Sequence, residues 1–140
     1  MVKVMSRAER LKIQNDPILQ DNKEIIIYSF IGNGGYMLQF ASDRLRNDKE
    51  VVLRAIEYDK GNLQYASVEM RADREVVLET VNTIEGYSDT LQFISDELKN
   101  DREIVEIAIS NLSNGNGRAF RDASEELRND RDFILKAIGW

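Results

Sequence analysis

The chain has 140 residues, enough for one ordinary domain with a sizeable core. It contains neither cysteine nor histidine, which excludes disulfides and removes the commonest general base and metal ligand, so we expect neither an enzyme nor a bound cofactor. Nineteen basic residues against twenty-five acidic ones give a net charge of −6, which argues against direct binding of nucleic acid or of an anionic membrane surface.

Residues 1–21 have the pattern of a degenerate half repeat that caps the repeats after it. Ser6 and Glu9 have the spacing of a capping box, so a short helix is predicted to run from there to Gln14. Asp16-Pro17 then starts a second helix, because proline suits the first position of a helix and not its interior.

From Asn22 onward the chain repeats one motif, which reads DNKEIIIYSF, NDKEVVLRAI, ADREVVLETV, NDREIVEIAI and NDRDFILKAI. A short polar residue, a base and an acid precede large aliphatic residues, one variable position, a small residue and a bulky one. An Asp or Asn at the N-cap accepts a hydrogen bond from an unpaired backbone N–H, and the acid meets the positive end of the helix dipole. Each copy therefore predicts a helix start, capped by Asn22, Asp48, Asp73, Asp101 and Asp130. A metal site is the disfavoured alternative, because no single repeat supplies enough oxygens for calcium.

Each motif helix, named helix A, is followed by a glycine-containing turn and a second helix, named helix B. The turns are predicted at 32–35, 59–62, 85–89 and 113–117. Gly and Asn tolerate the left-handed backbone that ends a helix. The two stretches richest in glycine are interpreted as turns and not as phosphate-binding loops, because neither follows a strand and neither has the lysine of a P-loop; they are Gly32-Asn33-Gly34-Gly35 and Asn114-Gly115-Asn116-Gly117. The sequence thus predicts an all-α fold, a short α-solenoid of four tandem helical hairpins of about 25–29 residues plus terminal helices, with 22–140 as one continuous repeat domain.

Apolar periodicity assigns a face to each helix. Helix A from Asp48 is apolar over a wide arc, which predicts an inner helix packed on several sides. Helix B carries a narrower stripe at i, i+3 and i+7, which predicts a more exposed helix. A serine follows the middle residue of each stripe, where a small side chain permits close helix approach. The stripes are Leu38, Ala41 and Leu45, then Leu63, Ala66 and Met70, then Leu91, Ile94 and Leu98, then Phe120, Ala123 and Leu127.

These units resemble the family catalogued as domain of unknown function 4116. Its repeats have an Asp-capped aliphatic helix, a glycine turn, and a helix reading Leu-x-Tyr-Ala-Ser followed by x-x-Leu-[Arg/Lys]-Asn-Asp. Here that pattern is DKEVVLRAIEYDKGNLQYASVEMRAD, and the similarity covers Asn22 to Ile138. Similar arrays occur in bacteria, including secreted effectors of intracellular bacteria, and in large viruses of protists. The resemblance implies an interaction module and supplies no catalytic residues. The departures are the swapped Asp21-Asn22, the longer third and fourth turns, and Asp122 in place of an aromatic residue.

An amide beside an aromatic ring recurs in the first three B helices. At 100° per residue the ring lies about 200° from the apolar stripe, so the column could form a surface for an extended partner. The alternative, which we favour on the sequence, is that the rings pack against helix B of the next repeat. The candidate partner-binding residues are Gln39 and Phe40, Gln64 and Tyr65, and Gln92 and Phe93, whereas the fourth copy has Arg121 and Asp122.

The leading functional hypothesis is a protein-protein interaction module. Its alternatives are a structural or self-assembling segment of a longer repeat protein, which includes a homo-oligomer, and an acidic mimic that blocks a nucleic-acid-binding protein. No stretch resembles a signal peptide or approaches the roughly 20 apolar residues of a membrane span, which predicts a soluble, cytoplasmic protein. Secretion as an effector stays open.

Overall fold

The computed structural model describes residues 3–32, 36–82, 89–110, 116–137 and 139. All regular secondary structure in these ranges is helical, so the predicted all-α fold class is confirmed. The chain divides into two compact units, Met1–Met70 and Arg71–Trp140. Most of the predicted turn residues, at 33–35, 85–88 and 113–115, lie outside the described ranges. The prediction of one continuous repeat domain over 22–140 stays a prediction.

Unit 1 begins with the predicted capping helices. The capping box is present: the Ser6 hydroxyl accepts from the Glu9 N–H at 3.2 Å, and the Glu9 carboxylate accepts from the Ser6 N–H at 2.7 Å. The α-helices of this unit are α1 (Arg7–Asn15), α2 (Pro17–Gln20), α3 (Lys23–Ser29), α4 (Asp43–Arg46), α5 (Lys49–Tyr58) and α6 (Val68–Arg71), the last of which ends at the boundary between the units. Two 3₁₀ helices, Tyr36–Phe40 and Lys60–Tyr65, lie between them.

Unit 2 has the same plan in its described part. Its α-helices are α7 (Arg74–Val81), α8 (Arg102–Ser110), α9 (Asn116–Asp122), α10 (Glu125–Arg128) and α11 (Arg131–Ala137). Two 3₁₀ helices, Asp89–Phe93 and Leu98–Asn100, lie between α7 and α8. Helix A of the repeat motif therefore corresponds to α3, α5, α7, α8 and α11.

The motif residues cap these helices as predicted. In all five copies an Asp or Asn oxygen accepts from the backbone N–H three residues later, which satisfies one of the unpaired donors of the first turn. The oxygen-to-nitrogen distances are 3.1 Å at Asn22, 3.2 Å at Asp48, 3.1 Å at Asp73, 3.1 Å at Asp101 and 2.9 Å at Asp130.

The inner position of helix A is confirmed by its burial. In α5 the side chains of Val51, Val52, Ala55 and Ile56 are buried, and the same pattern recurs in α7 and α8. In the first four copies the small motif position is fully buried, even where it is polar. There a hydroxyl donates to its own helix, Ser29 to the Ile26 carbonyl at 2.6 Å and Thr80 to the Val76 carbonyl at 2.8 Å. Neither hydroxyl is left without a hydrogen bond in the core.

Helix B is not the single helix that was predicted. In the first repeat it is the 3₁₀ helix Tyr36–Phe40, then an extended residue, Ser42, then the one-turn helix α4. The serine is an N-cap, because its hydroxyl accepts from the N–H of Leu45 at 3.3 Å. The i, i+3 spacing that suggested an α-helix suits a 3₁₀ helix equally well, since residues three apart are eclipsed at three residues per turn.

The fourth repeat departs from the predicted register. Its helix B begins with an α-helix, α9, whose first residue Asn116 was predicted to lie in the turn. Ala119 is fully buried, whereas Phe120, assigned to the stripe, is half-buried. A change from three to 3.6 residues per turn rotates the side chains between the two positions.

Candidate functional site

The 3₁₀ geometry explains where each candidate residue of helix B lies. With three residues per turn the side chains form three columns. In Tyr36–Phe40 one column starts at Leu38 and is buried, a second pairs buried Met37 with half-buried Phe40, and the third pairs Tyr36 with Gln39 and faces solvent.

The same arrangement recurs in the next two repeats. Gln64 and Gln92 are exposed, while Tyr65 and Phe93 are half-buried. Phe40 and Tyr65 pack against the apolar core of unit 1, so these rings contribute to packing there. We name Gln39, Gln64 and Gln92 the glutamine column. Its role in binding a partner stays a prediction.

Two of these amides are held in place by their own 3₁₀ turn. The side-chain nitrogen of Gln39 donates to the Tyr36 carbonyl at 2.9 Å, and that of Gln64 donates to the Gly61 carbonyl at 3.0 Å. The bond joins residues three apart, which lie in the same column. The amide oxygen is thereby fixed at the surface as an acceptor with little side-chain freedom left to lose on binding.

An open depression of about 230 Å³ lies beside Gln64 in unit 1. Its lining residues come from the two 3₁₀ helices and the turn before the second of them. They are Tyr36, Asp59, Gly61, Asn62, Gln64 and Tyr65. The depression thus contains both aromatic and polar groups, and Tyr36 is 59% exposed at its edge.

Consecutive repeats are joined by the serine of helix B. Its N–H donates to the carbonyl at the end of the preceding helix B, from Ser42 to Gln20 at 2.9 Å and from Ser124 to Lys99 at 2.9 Å. Its hydroxyl donates to the residue that precedes the N-cap of helix A in its own repeat. The hydroxyl distances are 2.5 Å for Ser42 to Asp21, for Ser67 to Asn47 and for Ser124 to Asn100.

One repeat lacks the acceptor of this bridge, because Ala72 stands where the others have Asp or Asn. Ser95 keeps its backbone bond, from its N–H to the Arg71 carbonyl at 3.1 Å. We expect Ala72→Asn to raise the free energy of unfolding by about 0.5–1 kcal/mol, the net value of one hydrogen bond. Urea denaturation measures the change. In a Ser95→Ala background the gain should vanish, and an equal gain there would contradict the bridge.

The basic residue of the motif links neighbouring A helices within each unit. The Lys23 ammonium lies 3.0 Å from Asp48 and 2.6 Å from Glu50, which are the cap and the first-turn acid of the next copy. In unit 2 the Arg74 guanidinium lies 2.9 Å from Asp101 and also pairs with Glu103. Arg102 repeats this contact with Asp130 and stacks over Phe133, 5.7 Å from the ring centroid.

These contacts shift the pKa values of the carboxyl groups. Burial raises the pKa of Asp48 and of Asp101. Hydrogen bonds lower it by more, from Lys23 to Asp48, from Arg74 to Asp101 and from the capped backbone amides to both, so each pKa lies below its ordinary value. The Phe133 amide and Arg102 lower the pKa of Asp130. The Ser42 hydroxyl and Arg44 lower the pKa of Asp21. The pKa of Lys23 is raised by Glu50 and then by Asp48.

Acid should therefore destabilise the fold. A carboxyl group whose pKa is lower in the folded state stabilises fully above its unfolded pKa, near 3.9 for Asp, and this contribution is lost as the pH falls through the folded pKa. We expect the urea midpoint to be steady from about pH 7 to pH 5 and to fall below about pH 4. Asp48→Asn should make that fall shallower. A midpoint that is constant or rises towards acid would contradict the prediction.

No group of three or more acidic side chains in the described part of the chain is arranged to hold a metal ion. Among the same residues, no helix is both long and apolar enough to cross a membrane.

A family model described as Domain of unknown function (DUF4116) matches the chain four times, at residues 22–71, 48–86, 73–116 and 112–140. The chain belongs to this family. The overlapping matches fit the tandem repeat, so the resemblance to DUF4116 that was predicted from the repeated helical hairpins is confirmed. No curated protein and no solved structure matches the chain.

Sequence reasoning missed two features of these DUF4116 repeats. The serine was interpreted as a small contact residue, although Ser42-Asp43-Arg44-Leu45 places an N-cap residue directly before a first-turn acid, a helix-start signal. The basic motif residue received no role. A signal for that role was present in the sequence of the caps. The first copy, which has no motif base before it, is capped by the neutral Asn22, whereas every later copy follows a motif base and is capped by a charged Asp.

Proposed function

We propose that this chain is a non-enzymatic protein-protein interaction module that uses the glutamine column, with the flanking rings of Phe40, Tyr65 and Phe93, as its contact surface. The observation that supports the proposal is the repeated exposed amide in three successive copies of the 3₁₀ helix. Nothing in the core packing of the described residues requires glutamine at that position.

Within unit 1 the amides of Gln39 and Gln64 suit an extended protein segment. An amide group can accept and donate hydrogen bonds to a partner backbone, and a half-buried ring beside each amide adds apolar area with little ordering cost. Two amides are held by their own turns, which lowers the entropy lost on binding.

Partner capture from cell lysate tests the surface. The triple variant Gln39→Ala, Gln64→Ala, Gln92→Ala should lose the proteins that the wild-type chain retains specifically. Because the side chains are exposed, each substitution should change the free energy of unfolding by no more than about 0.5 kcal/mol, so the variant should stay folded. The rings are poorer targets, since Phe40 and Tyr65 pack against the core.

A matched control changes the same number of exposed polar side chains on helix A. Glu24, Glu57 and Ser110 lie on α3, α5 and α8 and are exposed. Their triple alanine variant should retain every specific partner. If both triple variants capture the same proteins as the wild type, the glutamine column is not the contact surface.

A further inference from the structure

The depression in unit 1 has a chemistry that the other repeats do not carry. It combines two tyrosine rings, from Tyr36 and Tyr65, with the carboxylate of Asp59 and the amide of Gln64. When the repeats are aligned, the residues at the position of Tyr36 in the other copies are Gly61, Asp89 and Arg118. The residues at the position of Asp59 in the other copies are Gly34, Tyr87 and Asn116. The combination of ring and carboxylate is therefore particular to this pair of repeats.

The carboxylate is held in place by the turn that it caps. One oxygen of Asp59 accepts from the Gly61 N–H at 2.7 Å. Asn62 is buried below it and donates to the carbonyls of Ala55 and Asp59, both at 3.0 Å. These bonds tie the turn to the end of α5, so the acid is already positioned before any ligand arrives.

We propose that this depression is a subsite for one arginine side chain of the protein partner. The inference rests on the proposed function and specifies it, because it names the partner group that enters unit 1. A guanidinium group stacks on tyrosine rings by cation–π attraction and donates hydrogen bonds to a carboxylate and to an amide oxygen. Tyr36, Tyr65, Asp59 and Gln64 supply those groups around one depression.

Other occupants fit less well. An anionic group would meet the Asp59 carboxylate, and an apolar group would cover that carboxylate without a hydrogen bond, which is costly. A lysine ammonium is a compact, strongly hydrated charge with three donors, whereas the planar guanidinium can both stack on an aromatic ring and donate several hydrogen bonds to acceptors. The net charge of −6 on the chain also favours the approach of a cationic partner.

The test uses N-acetyl-arginine amide as the probe and the full ¹⁵N-labelled chain as the receptor. Addition of the probe to about 20 mM should shift the backbone resonance of Gly61 and the side-chain amide of Gln64, with a dissociation constant in the millimolar range that suits one side chain. N-acetyl-citrulline amide, which has nearly the same shape without the charge, should bind at least about tenfold more weakly, a difference of 1.4 kcal/mol.

Two variants localise the effect. Asp59→Asn keeps an oxygen for the Gly61 N–H and removes the charge, so the chain should stay folded while the probe binds about tenfold more weakly. Asp43→Asn removes an acid of the same unit whose side chain is 97% exposed and distant in sequence from the turn, and it should leave binding unchanged.

Three results would overturn the subsite: no shift at Gly61 or Gln64, equal binding of the citrulline probe, or equal losses in the two variants. Equal binding of N-acetyl-lysine amide would overturn the assignment to arginine. These failures are distinct from failure of the proposed function. If the glutamine variant loses the captured proteins but the probe does not bind, the subsite alone is rejected. If the probe binds but the glutamine variant captures the same proteins as the wild type, the contact surface is rejected.

Discussion

Replacement of Phe30 by alanine is expected to lower the free energy of unfolding by about 3–5 kcal/mol. Phe30 occupies the bulky position of the first motif copy and is fully buried in the core of unit 1. Its ring lies 6.4 Å from that of Tyr58, in a tilted arrangement that favours aromatic contact. The loss combines the transfer of a large apolar side chain with the cavity that remains.

Two other substitutions should cost less and serve as comparisons. Phe30→Ile places in the first copy the residue that the second and fourth copies have at this position, Ile56 and Ile109, and should cost less than about 1.5 kcal/mol if the core repacks. Tyr36→Ala removes an aromatic ring that is 59% exposed and should change stability by no more than about 0.5 kcal/mol.

Urea denaturation gives the free energies, and hydrogen exchange shows which helices lose protection. The amides of α3 and α5 should exchange faster in Phe30→Ala, because their packing depends on this side chain. A cost for Phe30→Ala no larger than that for Tyr36→Ala would show that the ring is not part of a tightly packed core.

Helix A could be predicted from the sequence because several local signals agree. At Asp48 a cap, a first-turn acid and a wide apolar arc indicate the same element, and the structure places a helix over Lys49–Tyr58. Burial of the motif positions followed from the same pattern. A helix can be predicted from a single sequence when its local propensity and its packing pattern agree.

Helix B could not be predicted to the same depth, because its two halves are short. Over five residues, from Tyr36 to Phe40, the apolar pattern fits both three and 3.6 residues per turn. The exposure of Gln39 is compatible with either geometry, whereas the half-burial of Phe40 depends on the 3₁₀ column that it shares with Met37. The depression at Asp59 depends on contacts between separate repeats, which a single sequence does not specify.

The contacts between A helices could not be predicted either, because they also join separate repeats. The basic residue of a copy pairs with the cap of the next copy, about one repeat away, as between Arg74 and Asp101. A motif compared within each copy shows the cap and the base side by side and gives no sign of the longer pairing. The capping acid therefore has two functions, and substitutions can separate them.

Asp101→Ala is expected to cost about 1.5–2 kcal/mol, whereas Asp101→Asn should cost about 0.5–1 kcal/mol. Alanine removes both the cap on the Ile104 N–H, at 3.1 Å, and the ion pair with Arg74, at 2.9 Å. Asparagine retains an oxygen for the cap, as Asn22 does in the first copy, where it accepts from the Ile25 N–H at 3.1 Å.

Salt separates the two contributions, because screening weakens an ion pair and leaves a hydrogen-bonded cap in place. We expect the cost of Asp101→Asn to disappear at about 1 M NaCl, while Asp101→Ala keeps a cost of about 1 kcal/mol. Urea unfolding at low and high salt measures both. Equal costs for the two variants at every salt concentration would mean that the charge alone stabilises this helix start. A cost of Asp101→Asn that salt does not reduce would contradict a contribution from the ion pair with Arg74.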